Sequence, residues 1–95
     1  MTRVMARIVA KSESAPVVES ALRELVVHTR KKLGCLCYEL FRRSDAPRMF
    51  VTVEQWRDSA AADAHMSTPH VGAATAAVGA HLASAPEIDR YEQLC

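Results

Sequence analysis

The chain has 95 residues, no asparagine, three glycines, three cysteines and only five aromatics: one Trp, two Tyr and two Phe. Each scarcity removes a class of protein. Gly34, Gly72 and Gly79 are scattered, so no glycine-rich loop is available to cradle a phosphate. The cysteines are odd in number, and Cys35 and Cys37 sit one residue apart on a candidate strand, a placement that does not favour a disulfide. No second cysteine pair is present for a zinc site. Free thiols of this kind suit a reducing compartment, so the expected location is cytoplasmic.

Charge of one sign is also missing. Twelve Lys and Arg stand against eleven Asp and Glu, a net charge of +1. Nucleic-acid binding needs a concentrated basic face, and none is expected here. Arg30–Lys31–Lys32 and Arg42–Arg43 read as solvated charges at element ends. The first eleven residues are apolar but broken by Arg3 and Arg7, so they lack a signal-peptide core. No run approaches the roughly 18 apolar residues of a transmembrane helix, and no membrane partner is expected.

What is present is a globular composition, 49% apolar. Residues 1–95 are expected to form one domain. Val4, Ala6, Ile8 and Ala10 alternate within 3–11, which predicts a strand. After Ser12–Glu13–Ser14–Ala15–Pro16, which offers a hydroxyl cap and a first-turn proline, Val18, Leu22, Leu25, Val26 and Thr29 recur at helical spacing up to Gly34. Residues 35–43 predict a second strand, with Leu36, Tyr38 and Leu40 on one face and Cys37 and Phe41 on the other. Ser44–Asp45–Ala46–Pro47 supplies a hairpin turn.

Residues 48–56 predict a third strand, with Met49, Val51 and Val53 opposite Phe50, Thr52, Glu54 and Trp56. Asp58–Ser59 caps an alanine-rich helix over 60–65, Thr68–Pro69 restarts it to about Leu82, and 88–94 predicts a final strand. The order β-α-β-β-α-β gives the fold class: α+β, ferredoxin-like, a four-stranded antiparallel sheet with helices on one face.

All five aromatics fall in strands, while the helices carry mainly Ala, Val and Leu. A sheet covered on one side should alternate apolar-in with polar-out. The side bearing Phe50 and Trp56 is therefore assigned here to the face without helices. A second copy of the chain would have to cover it, giving a homodimer around an apolar pocket or a solid core.

The stretch from Glu54 through Trp56, Asp58, the alanines, Ala64–His65 and Thr68–Pro69–His70 resembles the signature of the antibiotic biosynthesis monooxygenase domain family. Gly34-Cys35-Leu36-Cys37-Tyr38-Glu39-Leu40 is similar to that family's G-C-x-x-Y-x-L strand. The resemblance implies a dimeric α/β barrel with one pocket per subunit. In the short quinol-monooxygenase-like branch it also implies oxidation of phenolic or quinol substrates by dioxygen, with no flavin, haem or metal. Haem-degrading relatives combine an asparagine with a tryptophan and an iron-ligating histidine, and anthrone-oxidising ones tend to use an asparagine near the pocket. A chain without asparagine fits neither.

Such an oxygenase needs a base of near-neutral pKa, an apolar slot for a planar ring, and exclusion of water. His65 and His70 are the candidate bases, each with the alternative of a helix-end or surface role. Their five-residue spacing is not a one-face metal pair, so no metal ligands are assigned. His28 and His81 read as surface residues. Glu54 is an acid, a base or an orienting group, or else the partner of Arg7, Arg42 or Arg90 across the sheet. Trp56, Tyr38, Phe50 and Thr52 are the candidate substrate-binding residues, with Trp56 alternatively a dimer anchor and Tyr38 alternatively plain core. The expected partners are a small aromatic substrate, dioxygen and a twin subunit. The rival expectations are an isomerase or other enzyme acting on a small oxygenated metabolite, and a non-catalytic ligand-binding dimer.

Overall fold

The computed structural model describes all of residues 1–95. Its sheet is built from β1 (Thr2–Val9), β2 (Cys35–Arg42), β3 (Met49–Trp56) and β4 (Glu87–Tyr91), antiparallel throughout in the order β2-β3-β1-β4. Helix α1 (Ala15–Thr29) joins β1 to β2, and α2 (Ser59–Met66) and α3 (Pro69–Val78) lie between β3 and β4. Short 3₁₀ turns occupy Ser12–Ser14 and Gly79–His81. This is the ferredoxin-like arrangement, with its second helical unit broken in two.

The break has a local cause. Asp58 caps α2 by accepting the Ala61 N–H at 2.8 Å. Thr68 then ends one helix and starts the next: its hydroxyl donates to the His65 carbonyl at 2.8 Å and accepts the Val71 N–H at 3.4 Å, while Pro69 fills the first helical position. The hydroxyl cap expected at the start of α1 is not made. Ser14 Oγ is instead hydrogen-bonded to His81 Nδ1 at 3.0 Å, which makes His81 a half-buried tie and not a free surface residue.

The expected assignment of faces is overturned. Phe50, Thr52, Glu54 and Trp56 are all buried within the one chain. They lie on the side that the helices cover. Phe50 packs with Ala6, Ile8 and Ala10 of the β1 segment and with Val18, Leu22 and Val78 of the helices. Trp56 packs with Val4, Val26, Tyr38, Ala61 and Ala62. The physical reason is volume. Helices lined with Ala and Val need bulk from the sheet to fill the layer between them, so large and small residues belong to opposite walls of one core. The open face carries Met5, Phe41, Val51 and Val53, with Arg3, Arg7, Glu39 and Gln55 around them.

A second difference lies in β2. The pairing register shifts between Cys35 and Cys37, so Leu36 bulges out and is exposed. Leu36 therefore does not share a face with Tyr38 and Leu40.

Candidate active site

Beneath α1 and α3 the helix-covered side of the sheet is not filled. A cavity of about 460 Å³ opens there, floored by Ala6 and Ile8 of β1 with Thr52 and Glu54 of β3. Leu22 and Leu25 of α1, Val71, Ala74 and Val78 of α3, and the segment Leu82–Ile88 complete its walls. The run of Gly and Ala along α3 makes this space, because side chains of that size cannot reach the sheet.

The buried polar groups of the cavity come from three elements, β2, β3 and α2. On β3, alternate residues point the same way, so Thr52, Glu54 and Trp56 form a row. Thr52 Oγ1 donates to Glu54 Oε2 at 2.8 Å and Trp56 Nε1 donates to Oε1 at 3.0 Å. Both carboxyl oxygens are held, and neither by a cation. The arginines considered as partners are engaged elsewhere: Arg7 with Glu87, Arg42 with Glu19 and Arg90 with Asp63. Burial raises the Glu54 pKa above the usual carboxylate value, and the two hydrogen bonds oppose that rise only in part.

His65, in the last turn of α2, is 4% exposed. Its ring stacks on Trp56 at 4.6 Å between centroids and meets the edge of Tyr38 at 5.5 Å. Burial, assisted by the Lys32 charge, lowers its pKa to about 4, so at neutral pH it is an uncharged imidazole. Tyr38 reaches the cavity from β2. Burial, with the Glu54 carboxylate beside it, pushes its phenol well above the ordinary value, so it is present as a hydroxyl.

Four of the seven residues singled out in the sequence thus line one cavity: Tyr38, Thr52, Glu54 and His65. Trp56 stands behind them and orients both Glu54 and His65. Phe50 is buried in the core below and does not line the cavity. His70 is exposed at the start of α3, stacked on His28 at 4.3 Å, and does not line it either. The sequence reading missed the apolar wall of α3 and the Leu82–Ile88 segment. The one signal for the former was the density of Ala and Gly between Val71 and Gly79. No three His, Cys, Asp or Glu side chains converge as a metal-binding group.

A ferredoxin-like sheet with an apolar cavity, one buried carboxyl and one neutral imidazole has the form of a small-molecule site. The comparisons narrow this further. The model of the antibiotic biosynthesis monooxygenase family matches residues 1–77, and the chain belongs to that family. It is 35% identical over 86 residues, 90% of each chain, to the Bacillus subtilis (strain 168) protein named "Putative monooxygenase YcnE". A crystal structure described as an antibiotic biosynthesis monooxygenase superposes with a TM-score of 0.94 at 33% identity, over 100% of both chains. PA3566 from Pseudomonas aeruginosa gives 0.92 at 33% identity, over 99% of this chain and 94% of that one. This membership supports a monooxygenase-like function on a small molecule. No helix is long and apolar enough to cross a membrane.

Proposed function

We propose that this chain is a cofactor-independent monooxygenase that oxidises a small phenol, quinol or polycyclic aromatic with dioxygen. The observation that carries the reading is the cavity itself: apolar walls around a single buried carboxyl of raised pKa, beside an imidazole that stays uncharged. Family membership supports the reaction class.

In this reading the roles follow from basicity. Burial moves Glu54 up from 4.5 and His65 down to about 4, so the carboxylate is the stronger base. Glu54 takes the phenolic proton. The electron-rich phenolate then gives one electron to dioxygen, and the substrate radical and superoxide combine at a ring carbon. The hydroperoxide loses water to leave a quinone, with one oxygen atom retained and the other released as water. Tyr38 and His65 offer hydrogen bonds to the substrate oxygens, and the apolar walls hold the ring and exclude bulk water. His70, being outside the cavity, is given no part.

A twin subunit belongs to the same proposal, seated on the open face of the sheet where Met5, Phe41, Val51 and Val53 cluster.

The test is oxygen uptake with a hydroquinone panel, using wild type, Glu54→Gln and His65→Ala. Loss of the base is expected to slow Glu54→Gln by roughly 10²-fold or more. A wild-type rate no greater than that of Glu54→Gln, or turnover that continues without dioxygen, removes the reading.

A further inference from the structure

The cavity uses one side of the His65 ring. The oxygenase reading gives no role to a set of buried polar atoms that includes one nitrogen of this ring. Three side-chain atoms in the whole chain are sealed from solvent without a hydrogen-bond partner: His65 Nδ1, Lys32 Nζ and Thr29 Oγ1. They are not scattered. Thr29 is the last residue of α1 and Lys32 lies in the turn that follows, its backbone N–H donating to the Thr29 carbonyl at 3.0 Å. That turn packs on α2, where a Cβ on Gly34 would come within 2.7 Å of the Ala61 Cβ, and His65 stands four residues further along the same helix, near enough for the Lys32 charge to weigh on its ring. Thr29 is fully buried and His65 nearly so. A buried polar atom left unpaired is costly, and three together call for a common arrangement that satisfies them.

The ring has little freedom in how it joins such an arrangement. Trp56 covers one face and Tyr38 abuts it edge-on, so only the two nitrogens are left to make polar contacts. We propose that Lys32 is a positioning residue for His65: its ammonium donates to one enclosed water that Thr29 also binds, the water donates on to Nδ1, and the proton of the neutral ring is so fixed on Nε2, facing the cavity. Lysine has donors only, so a water bound to it is held through a lone pair and turns its hydrogens outward, meeting Nδ1 as a donor. The imidazole then presents an N–H to the ligand and serves as a hydrogen-bond donor, not a base. Burial lowers the Lys32 pKa, consistent with an ammonium held away from bulk water. The other titratable groups near the ring are Tyr38 and Glu54 of the sheet, while His70 of α3 turns outward against His28.

This inference rests on the preceding reading only in giving the Nε2–H a substrate oxygen to meet. Its test needs no substrate. Two-bond ¹H–¹⁵N correlation spectra of the His65 ring report which nitrogen is protonated, in wild type, Lys32→Met and Lys32→Arg. The expected wild-type result is a protonated Nε2 and a bare Nδ1 at pH 7.5. Lys32→Met is expected to mix the two tautomers and to raise the titration midpoint from about 4, and Lys32→Arg, which keeps the donor, is expected to restore the wild-type pattern. A wild-type ring protonated on Nδ1, or a Lys32→Met spectrum identical to wild type, overturns the proposal. If the spectra behave as expected and no hydroquinone is oxidised, the oxygenase reading alone falls.

Discussion

His65 makes the site a determinant of acid stability. In the unfolded chain its imidazole titrates near 6.5, whereas in the fold it titrates near 4. Protons therefore bind the unfolded state first. The stability contributed by keeping the ring neutral is complete above pH 6.5 and is lost progressively as the pH falls towards 4. A midpoint displaced from 6.5 to about 4 corresponds to about 3 kcal/mol at most. Glu54 runs the other way, because its raised pKa makes the buried anion a cost that grows as the pH rises above 4.5. Denaturant midpoints of wild type and His65→Gln at pH 7.5 and pH 4.5 separate the two effects. His65→Gln is expected to be the less stable at pH 7.5, where the Trp56 stack is lost, and to narrow or reverse that gap at pH 4.5. A pH-independent gap refutes the assignment. At this scale the sequence picked out the residues that line the cavity only in part. Glu54, Trp56 and His65 stood out as a motif. That His65 would be too deeply buried to be a strong base, and that His70 would turn outward, depends on packing between α1, α2 and the sheet, which spacing along the chain does not encode.

The elements were the most legible layer, because turn and cap chemistry is local. Asp58, Thr68 and Pro69 announced the two starts of the broken helix, and the structure uses all three. Gly34 shows why the α1–β2 connection has its form. Its φ of +86° lies in the left-handed region, and a Cβ added there would come within 2.7 Å of the Ala61 Cβ. The turn and the docking of α2 thus need the same missing side chain. Gly34→Ala is expected to cost about 1–3 kcal/mol from backbone strain alone, with the Ala61 overlap added to it, read as a lower denaturant midpoint. Because Ala61 belongs to the helix that carries His65, the variant is also expected to weaken the His65–Trp56 stack, seen as a change in Trp56 fluorescence. A midpoint within experimental scatter of wild type refutes this account of the turn. What the element pattern could not give was the side of the sheet that the helices cover. In β3 both faces are apolar, Val51 and Val53 on one and Phe50 and Trp56 on the other, so alternation marks a strand without marking its inside.

With Phe50 and Trp56 turned inward, the ground for a twin subunit moves to the other side of the sheet. Phe50 and Trp56 are each 1% exposed within the single chain and provide no reason for a partner. The reason passes to the opposite face. An antiparallel sheet with one side in water normally turns charged or polar residues outward along its central strands. Here the two central strands, β1 and β3, present Met5 beside Val53, and Val51 beside Phe41 of β2, with Met5 37% and Phe41 50% exposed. The surrounding Arg3, Arg7 and Glu39 supply both signs of charge, so a copy rotated by a two-fold axis can meet each charge with its opposite. Sedimentation or light scattering is expected to give about twice the 10.4 kDa chain mass for wild type. Val53→Glu would place buried, unpaired carboxylates on both copies at the centre of this contact and is expected to return the mass to that of one chain. Its far-ultraviolet spectrum should remain that of wild type, because Val53 faces away from the helices and the core. A wild-type mass of one chain refutes the twin, and a Val53→Glu protein that still weighs two chains places the contact somewhere other than this face. The cavity lies on the far side of the sheet, so neither result bears on whether Glu54 and His65 act together.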